Sequence, residues 1–316
     1  MLRAGIGIAP APCLAETDKG WGGWVRPGKE EGLKGKSEEQ RSGLSFWKVE
    51  GAGNDFVLID LRGRPLVRLN APSIKRMLDR HRGIGGDGLL ILCTGPAGVK
   101  VDYHNSDGNP ADFCGNGARC VGAYLLGEGA GPVRFHMMKI PIEAIRTEGG
   151  IAVKVGEVEE REMPDLSRLR PRPAALVRIG TDHWIVPVGD VNSLDVSGLG
   201  QGLRNHAWPG PKGANVTFVE RRRTEIRIRT YERGVEGETL SCGSGAVAAA
   251  HWALAGAKGP LPVLTHGGDV LRVWCEDNQY WLEGPTRVTF QGIWPQETRA
   301  ASVGNGAEPR AAVRKN

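Results

Sequence analysis

Short apolar segments, many of them alternating with polar residues, fill the middle of the chain. Such segments predict short β-strands when Gly, Pro, Asn or Asp bound them. The predicted strands are Phe46–Val49, Phe56–Asp60, Leu89–Cys93, Val99–His104, Ile151–Val155, Leu176–Ile179, His183–Val188, Ile226–Thr230 and Val270–Cys275. Helical periodicity is rarer, and the predicted helices are Pro72–Arg80 and the small-residue segments after Cys114 and Cys242. The pattern predicts an α/β protein, of the α+β type, in which strands outnumber helices.

The two ends of the chain lack this periodicity. Residues 1–44 are rich in Gly, Lys, Glu and Ser, and we expect a disordered N-terminal extension there. Two prolines interrupt the short apolar stretch near Met1, so a secretory signal peptide is not expected. The polar residues 296–316 are expected to form a flexible tail.

Composition and charge exclude several classes of protein. No apolar run approaches the ~18 residues of a membrane-spanning helix, so no membrane partner is expected. The net charge is +5, and the densest basic cluster, residues 221–223, is interpreted as a hairpin turn, so no nucleic-acid partner is expected. The six cysteines form no C-x-x-C pair. We therefore expect reduced thiols, a cytoplasmic location and no metal site.

One glycine-rich motif imitates a dinucleotide fingerprint. Gly83-Ile-Gly-Gly-Asp-Gly88 matches G-x-G-x-x-G. The fingerprint requires a strand before it and a helix after it, whereas here a predicted helix precedes and a predicted strand follows. Nucleotide binding is therefore not expected.

A repeat with a period of 128 residues is the strongest signal in the sequence. Cys114-Gly-Asn-Gly-Ala and Cys242-Gly-Ser-Gly-Ala each follow a strand and a polar turn, and each precedes a helix of small residues. A repeat this long indicates duplicated domains. We predict domains at residues 45–163 and 164–284, with a last strand at about 285–295 returning to the first. Each domain is expected to wrap a mostly antiparallel, barrel-like sheet around its helix, with pseudo-two-fold symmetry and the active site between the domains.

The position of the two cysteines predicts acid–base chemistry on an anionic ligand. Uncovered backbone N–H groups and the helix dipole at a helix N-terminus bind a carboxylate. The same dipole stabilises a thiolate and can lower a cysteine pKa from about 8.5 to roughly 3.5–7.5. Two thiols on opposite sides of one ligand suit removal of a proton from one face of a carbon and addition to the other. The arrangement predicts a racemase or epimerase.

Six motifs resemble those of the diaminopimelate epimerase family, in the same order, over about residues 46–293. They are the segments 51–56, 82–88, 105–108, 114–120, 215–218 and 231–245. The resemblance implies cofactor-free interconversion of LL- and meso-diaminopimelate, a diamino dicarboxylic acid, in lysine and peptidoglycan precursor synthesis. It also implies a homodimer.

The same resemblance implies roles for individual residues. Cys114 and Cys242 are the two bases, and His183 and Glu232 modulate the thiol pKa values. Glu232 also lines the site. The substrate-binding residues are Asn54, Asn105, Gly115, Asn116, Asn215, Glu232, Arg233, Gly243 and Ser244, of which Gly115, Asn116, Gly243 and Ser244 offer backbone N–H groups to the reacting carboxylate.

Two positions depart from the family pattern. Thr181-Asp182-His183 stands where the family has Asn-Pro-His, and Gly88 stands where some members have Gln. These departures leave the two thiols intact and are expected to change contacts with the end of the substrate that does not react.

Three other functions remain open. The chain can be an epimerase or racemase of another amino acid, such as proline or hydroxyproline, on the same fold. A redox protein that uses Cys114 and Cys242 as a dithiol, and a binding module without activity, are alternatives of other classes. Oxidation joining these two thiols is expected to inactivate an epimerase reversibly. Cys93, Cys120 and Cys275 are interpreted as packing residues.

Overall fold

The computed structural model describes residues 43–295, apart from 66, 68, 112, 128, 130 and 168. Most of the predicted N-terminal extension, with Cys13, and the predicted tail lie outside the described residues. The first strand begins at Gly43 and pairs Gly43 and Leu44 with the last strand. The extension predicted through residue 44 therefore runs two residues too far, because these two residues already belong to the sheet.

The described residues form seventeen strands and four helices. The first half contains β1 Gly43–Gly51, β2 Asn54–Asp60, α1 Ala71–Leu78, β3 Gly88–Gly95, β4 Gly98–Asn105, α2 Gly115–Leu126, β5 Val133–Met137, β6 Ile140–Thr147 and β7 Gly150–Gly156. The second contains β8 Glu159–Arg161, β9 Ala175–Ile179, β10 Thr181–Val188, α3 Val196–Arg204, β11 Asn215–Arg221, β12 Ile226–Glu232, β13 Gly237–Thr239, α4 Gly243–Leu254, β14 Leu261–Leu264, β15 Val270–Glu276 and β16 Gln279–Gly284. The last strand is β17 Arg287–Pro295.

The two halves repeat the same strand pairings. In the first half, β2 runs parallel to β3 with Phe56 opposite Gly88, and β3 runs antiparallel to β4. In the second half, β10 runs parallel to β11 with His183 opposite Asn215, and β11 runs antiparallel to β12. Corresponding positions in these strands are 127 residues apart, so Gly88 and Asn215 occupy equivalent places.

Each half wraps its sheet around one buried helix. Helix α2 packs inside β1, β2 and β5 to β7, and α4 packs inside β9 to β12 and β14 to β16. Small residues allow this close packing: a Cβ atom on Gly122 would lie 2.7 Å from the Ala144 side chain. The halves join where β16 pairs with β7, and β17 pairs with β1. The expected pair of pseudo-symmetric, sheet-dominated domains is confirmed.

Several elements differ from the prediction. Helix α1 ends at Leu78, two residues early, because Asp79 is extended and its carboxylate accepts the N–H groups of His81 and Arg82. Helix α3 was not predicted, since three of its nine residues are Gly. The hairpin predicted around residues 221–223 is present between β11 and β12. The 83–88 glycine motif follows α1 and leads into β3, as predicted.

None of the helices in the described part of the chain combines the length and apolar character that crossing a membrane requires.

Candidate active site

Two cysteines cap the two central helices. Cys114 precedes α2 and Cys242 precedes α4, each with extended backbone. Each sulfur accepts the N–H of the third helical residue, Gly117 or Gly245, at 3.4 Å. The sulfur takes the place that a Ser or Asp oxygen takes at other helix N-termini. The N–H groups of the first two residues of each helix have no acceptor within the helix and are available to an anion.

The two helices meet at their first residues. A Cβ atom on Gly243 would lie 3.4 Å from Gly115 Cα and 3.0 Å from the Leu282 side chain. A Cβ atom on Gly115 would lie 2.9 Å from the same leucine. Both positions therefore favour Gly for reasons of space, and the contact brings the positive ends of both helix dipoles together.

A cleft of about 590 Å³ lies in front of the two helix ends. Residues from both halves line it, among them the predicted site residues Asn54, Asn105, Cys114, Gly115, Asn116, Asn215, Glu232, Arg233, Cys242, Gly243 and Ser244. His183 is fully buried behind this surface and hydrogen-bonds to Ser244. Every predicted site residue therefore lies in the cleft wall or directly behind it.

Charged groups fix the orientation of the amides beside Cys114. The Arg119 guanidinium donates to Asn116 Oδ1 at 2.9 Å, so the Asn116 NH₂ group points the other way, 3.4 Å from Asn54 Oδ1. Asn54 donates its own NH₂ group to Asp87 Oδ2 at 2.6 Å. Asn54 Oδ1 is therefore an acceptor, and it lies 3.6 Å from the Cys114 sulfur. This geometry suits a protonated Cys114 that donates its S–H.

Arg119 is a fully buried cation under the helix starts. Its Nε and Nη1 atoms have no hydrogen-bond partner among the described residues. Gly284 packs against it, since a Cβ atom there would lie 3.1 Å from Arg119 Nε. Burial lowers the pKa of Arg119, yet a guanidinium stays charged in proteins. The Asn116 amide that it holds also donates to Ser241 O of the second half at 3.2 Å, so this cation supports the junction of the halves.

Backbone geometry fixes the tautomer of His183 in the second half. Asn215 Oδ1 accepts the backbone N–H of Arg233 at 2.8 Å, which leaves the Asn215 NH₂ group 3.3 Å from His183 Nε2. Because that amide nitrogen only donates, Nε2 is the acceptor and the ring proton is on Nδ1. Nδ1 in turn lies 3.2 Å from Thr217 Oγ1, which accepts it.

His183 reaches Cys242 through a hydroxyl group. Ser244 Oγ lies 3.0 Å from His183 Nε2 and 3.5 Å from the Cys242 sulfur. Burial lowers the pKa of His183 to about 3, so the ring is neutral at physiological pH. The Ser244 hydroxyl can accept the S–H of a thiol while donating to His183, or turn its proton towards a thiolate. His183 and Ser244 together therefore accommodate both protonation states of Cys242.

Burial dominates the acidity of both thiols. It raises the pKa of Cys114 to about 11, although the N–H groups of Gly117 and Asn116 act in the opposite direction. It also raises the pKa of Cys242 well above the usual value, and the Glu232 carboxylate adds to the effect. For both thiols the loss of hydration on burial thus acts against the effect that is expected of the helix dipole.

Glu232 lies at the position of the second half that corresponds to Asn105 in the first. Its carboxylate accepts the Thr239 hydroxyl and interacts with Cys242. Burial raises the pKa of Glu232, and its charge raises the pKa of both Cys114 and Cys242. Glu232 thus couples electrostatically to the two thiols. Its role as a residue that modulates them stays a prediction.

The Thr181-Asp182 departure has a clear structural basis. Thr181 lines the cleft, and its hydroxyl accepts a hydrogen bond from Arg233 Nη2 at 3.4 Å. Asp182 is buried and forms ion pairs with Arg161 and Arg178 at 2.9 Å each. An ion cluster therefore fixes the start of β10, while Thr181 offers a hydroxyl to the cleft.

The Gly88 departure lies where the structure has no room for a larger side chain. A Cβ atom at Gly88 would lie 2.7 Å from the Tyr103 ring and 2.8 Å from His104 O. A larger residue at position 88 would therefore require both the Tyr103 ring and the backbone of β4 to shift.

Comparison with known proteins identifies the family. The family model for diaminopimelate epimerase matches residues 46–159 and 175–289, one segment in each half. The chain belongs to the diaminopimelate epimerase family. It is therefore an isomerase. The diaminopimelate epimerase of Aquifex aeolicus is 37% identical over 80% of this chain and 99% of its own length, and that of Methanocella arvoryzae is 34% identical over 79% and 96%.

Solved structures share the fold at low sequence identity. A phenazine biosynthesis family protein of Bacillus anthracis superposes with a TM-score of 0.60 at 11% identity, covering 79% of this chain and 98% of its own. A hydroxyproline epimerase of Agrobacterium vitis gives 0.59 at 14% identity, covering 81% and 94%. At this identity the likeness shows the fold alone.

Sequence reasoning missed several residues around the cleft of this family member. Asp87, Arg80 and Tyr103 line the cleft, and Thr217 lies behind it. Arg80 pairs with Asp87 at 2.7 Å. The alternation of strands offered a signal for Tyr103, because it stands two residues before Asn105 on β4 and so shares its face. Nothing in the local sequence marked Thr217.

Proposed function

We propose that this protein interconverts LL- and meso-diaminopimelate by a two-base mechanism in which Cys114 and Cys242 act from opposite faces of the α-carbon. The observation that carries the proposal is the convergence of two cysteine-capped helix N-termini on one cleft. The membership in the diaminopimelate epimerase family supplies the substrate. No cofactor is required in this proposal.

The proton balance of the reaction closes on the two sulfurs. One cysteine starts as thiolate and the other as thiol. The thiolate takes the α-proton, so a C–H bond breaks and an S–H bond forms. The opposite thiol then gives its proton to the other face of the carbanion, so its S–H bond breaks and a new C–H bond forms. The cysteines have exchanged protonation states, and the reverse reaction uses them in the opposite order.

Backbone N–H groups stabilise the negative charge of the carbanion. The α-carboxylate sits at the junction of α2 and α4 and accepts N–H groups from Gly115, Asn116, Gly243 and Ser244. Negative charge delocalised into this carboxylate meets two helix dipoles and the buried Arg119 cation. These groups are already in place before the reaction, so the charge is stabilised without rearrangement of solvent.

The polar remainder of the cleft suits the unreactive end of the substrate. Arg233 offers a guanidinium to the distal carboxylate. Asn105 and Thr181 also line the cleft and add an amide and a hydroxyl. A proline or hydroxyproline substrate has no second charged end to use them, so the observations favour the diamino dicarboxylic acid.

The test is turnover of LL-diaminopimelate by reduced protein without added pyridoxal phosphate. We expect formation of the meso isomer by the wild type and its loss in Cys114→Ala and Cys242→Ala. Cys275→Ala is the matched control, because this half-buried thiol lies outside the cleft wall. Full activity of either cleft variant, or equal loss in the control, would overturn the proposal. Turnover of proline but not of diaminopimelate would instead make the protein a racemase of proline, the alternative on the same fold.

The family resemblance carries three further expectations. They are a homodimer, a cytoplasmic location and a place in lysine and peptidoglycan precursor synthesis. These stay predictions.

A further inference from the structure

The glycine motif at residues 83–88, here called the glycine loop, forms a tight connection between α1 and β3. Its backbone folds back on the helix, and the N–H of Gly86 donates to Leu78 O at 3.2 Å. Gly85 has a φ of +79°, a conformation that glycine adopts without strain. The loop leads directly to Asp87, so its geometry determines where this carboxylate lies.

Asp87 lines the cleft and holds the side chain of Asn54. One carboxylate oxygen, Oδ2, accepts the Asn54 NH₂ group at 2.6 Å and the backbone N–H of Asp55 at 3.2 Å. The other oxygen, Oδ1, accepts Arg80 Nη2 at 2.7 Å. Arg80 also pairs with Asp55 at 2.7 Å, and the backbone N–H of Asp87 donates to Asp55 O at 2.8 Å. The carboxylate is therefore fixed against the Asn54 amide.

The orientation of the Asn54 amide decides which of its groups faces Cys114. An amide can turn by 180° and exchange its oxygen and nitrogen with almost no change in shape. Because a carboxylate accepts hydrogen bonds and donates none, Asp87 requires the NH₂ group of Asn54 on its own side. The Asn54 oxygen then lies 3.6 Å from the Cys114 sulfur. In this position it accepts the S–H of a thiol and repels a thiolate.

The polar support of Cys114 differs from that of the other thiol. Cys242 contacts the Ser244 hydroxyl, which is hydrogen-bonded to His183. The strand pairings put Phe56 in the first half where His183 stands in the second. A phenyl ring offers no such hydrogen bond. The support of Cys114 therefore comes from a different part of its half, the end of the glycine loop.

We propose that Asp87 is a positioning residue that holds the Asn54 amide with its oxygen towards Cys114. The glycine loop places the carboxylate, and Arg80 keeps it in place. Asp87 acts through Asn54 and favours the thiol form of Cys114, which is the form that gives a proton to the carbanion. The catalytic meaning of this preference rests on the proposed two-thiol function.

The test must separate the charge of Asp87 from its role as an acceptor. Other titratable groups that act on Cys114 stay constant, namely Glu232 on β12, Arg119 on α2 and Tyr103 on β4. Asp87→Asn and Asp87→Ala both remove the charge. Since both N–H donors bind the same carboxylate oxygen, the single amide oxygen of Asp87→Asn can still accept them. Asp87→Ala has no acceptor.

The experiment measures iodoacetamide alkylation of Cys114 and Cys242 between about pH 7 and pH 9, where the rate follows the thiolate fraction. Peptide mass spectrometry resolves the two sites. In Asp87→Ala the Asn54 amide can turn its NH₂ group to the sulfur and stabilise the thiolate. Cys114 should therefore alkylate about tenfold faster than in Asp87→Asn, while Cys242 keeps its rate. Asp87→Leu keeps the branched shape without an acceptor and gives the same prediction if Asp87→Ala does not fold.

Two controls distinguish a turned amide from a looser loop. Asp79→Ala removes a carboxylate that accepts two backbone N–H groups of the same connection. It should leave the Cys114 rate within about twofold of the wild type, and a tenfold rise there would overturn the proposal. In an Asn54→Ala background, Asp87→Ala and Asp87→Asn should alkylate at equal rates, because Asp87 acts through the missing amide.

Three further results would overturn the proposal. The first is an equal Cys114 rate in Asp87→Ala and Asp87→Asn. The second is an equal rise at both thiols, and the third is a difference between the two variants that persists in the Asn54→Ala background. Alkylation needs no substrate, so failure of this inference is distinguishable from failure of the proposed function, which the turnover assay tests separately.

Discussion

Thr217→Val tests whether the tautomer of His183 matters for the reaction. The substitution keeps the shape of the side chain and removes the oxygen that accepts the proton on Nδ1. A buried donor left without an acceptor costs about 1–3 kcal/mol of stability. The ring can avoid this cost by moving its proton to Nε2, where it faces the Asn215 amide and can no longer accept from Ser244. We therefore expect kcat/KM to fall about tenfold, equivalent to about 1.4 kcal/mol.

Thr230→Val is the matched control for this experiment. Thr230 is buried like Thr217, pairs with it across the strands and donates to its hydroxyl at 3.3 Å. The ring of His183 is hydrogen-bonded to Thr217, Ser244 and Asn215, and not to Thr230, among the described residues. Loss of the Thr230 hydroxyl removes one neutral hydrogen bond and is expected to cost about 1 kcal/mol of stability with kcat/KM within about twofold of the wild type. Urea unfolding gives the stabilities and turnover of LL-diaminopimelate gives the kinetics. Equal kinetic effects of the two variants would refute the tautomer argument.

Three further predictions concern binding, pH and packing. Arg233→Met should raise KM by about 10- to 100-fold with a smaller change in kcat, because the lost side chain binds the unreactive end of the substrate. The backbone N–H of residue 233 still holds Asn215 in this variant. Steady-state kinetics with LL-diaminopimelate measure both constants. His183 should lower the free energy of unfolding by about 1.4 kcal/mol per pH unit as the pH drops from about 6.5 towards 3, because the ring takes up a proton in the unfolded state but not in the folded state. Urea unfolding at several pH values measures this slope, and His183→Gln should remove the contribution of that one proton. Gly115→Ala should cost about 1–3 kcal/mol by overpacking against Leu282. Because Leu282→Ala removes the atoms that the new methyl group meets, urea unfolding of the double variant should show a smaller loss of stability than the sum of the two single variants.

Local patterns predicted the elements that position the chemistry. The repeated Cys-Gly-x-Gly marked both helix starts, since small residues after a capping side chain give a recognisable pattern. Alternation marked β2, β4, β10 and β12, which bring Asn54, Asn105 and Glu232 to the cleft and His183 directly behind it. Helix α3 escaped prediction because its packing against β11 and β12 overrides the low propensity of its glycines.

Long-range contacts determine what the sequence left open. The orientation of Asn116 depends on a guanidinium three residues away, and that of Asn215 on a backbone N–H eighteen residues away. The pKa of each thiol depends on how deeply the assembled halves bury it, and burial acts in the direction opposite to the helix dipole. The Tyr103 ring packs against position 88 of the neighbouring strand, and it fits there because residue 88 is a glycine.

The distribution of deuterium between substrate and product tests directly whether two bases act from opposite faces of the α-carbon. LL-diaminopimelate is incubated in D₂O and stopped at low conversion, and the recovered substrate and the meso product are analysed separately by mass spectrometry. Two bases predict deuterium at the inverted α-carbon of the product and almost none in the recovered LL isomer. Deuterium appearing early in the LL isomer would show one base returning a solvent proton to the same face, and would contradict the assignment of Cys114 and Cys242 to opposite sides.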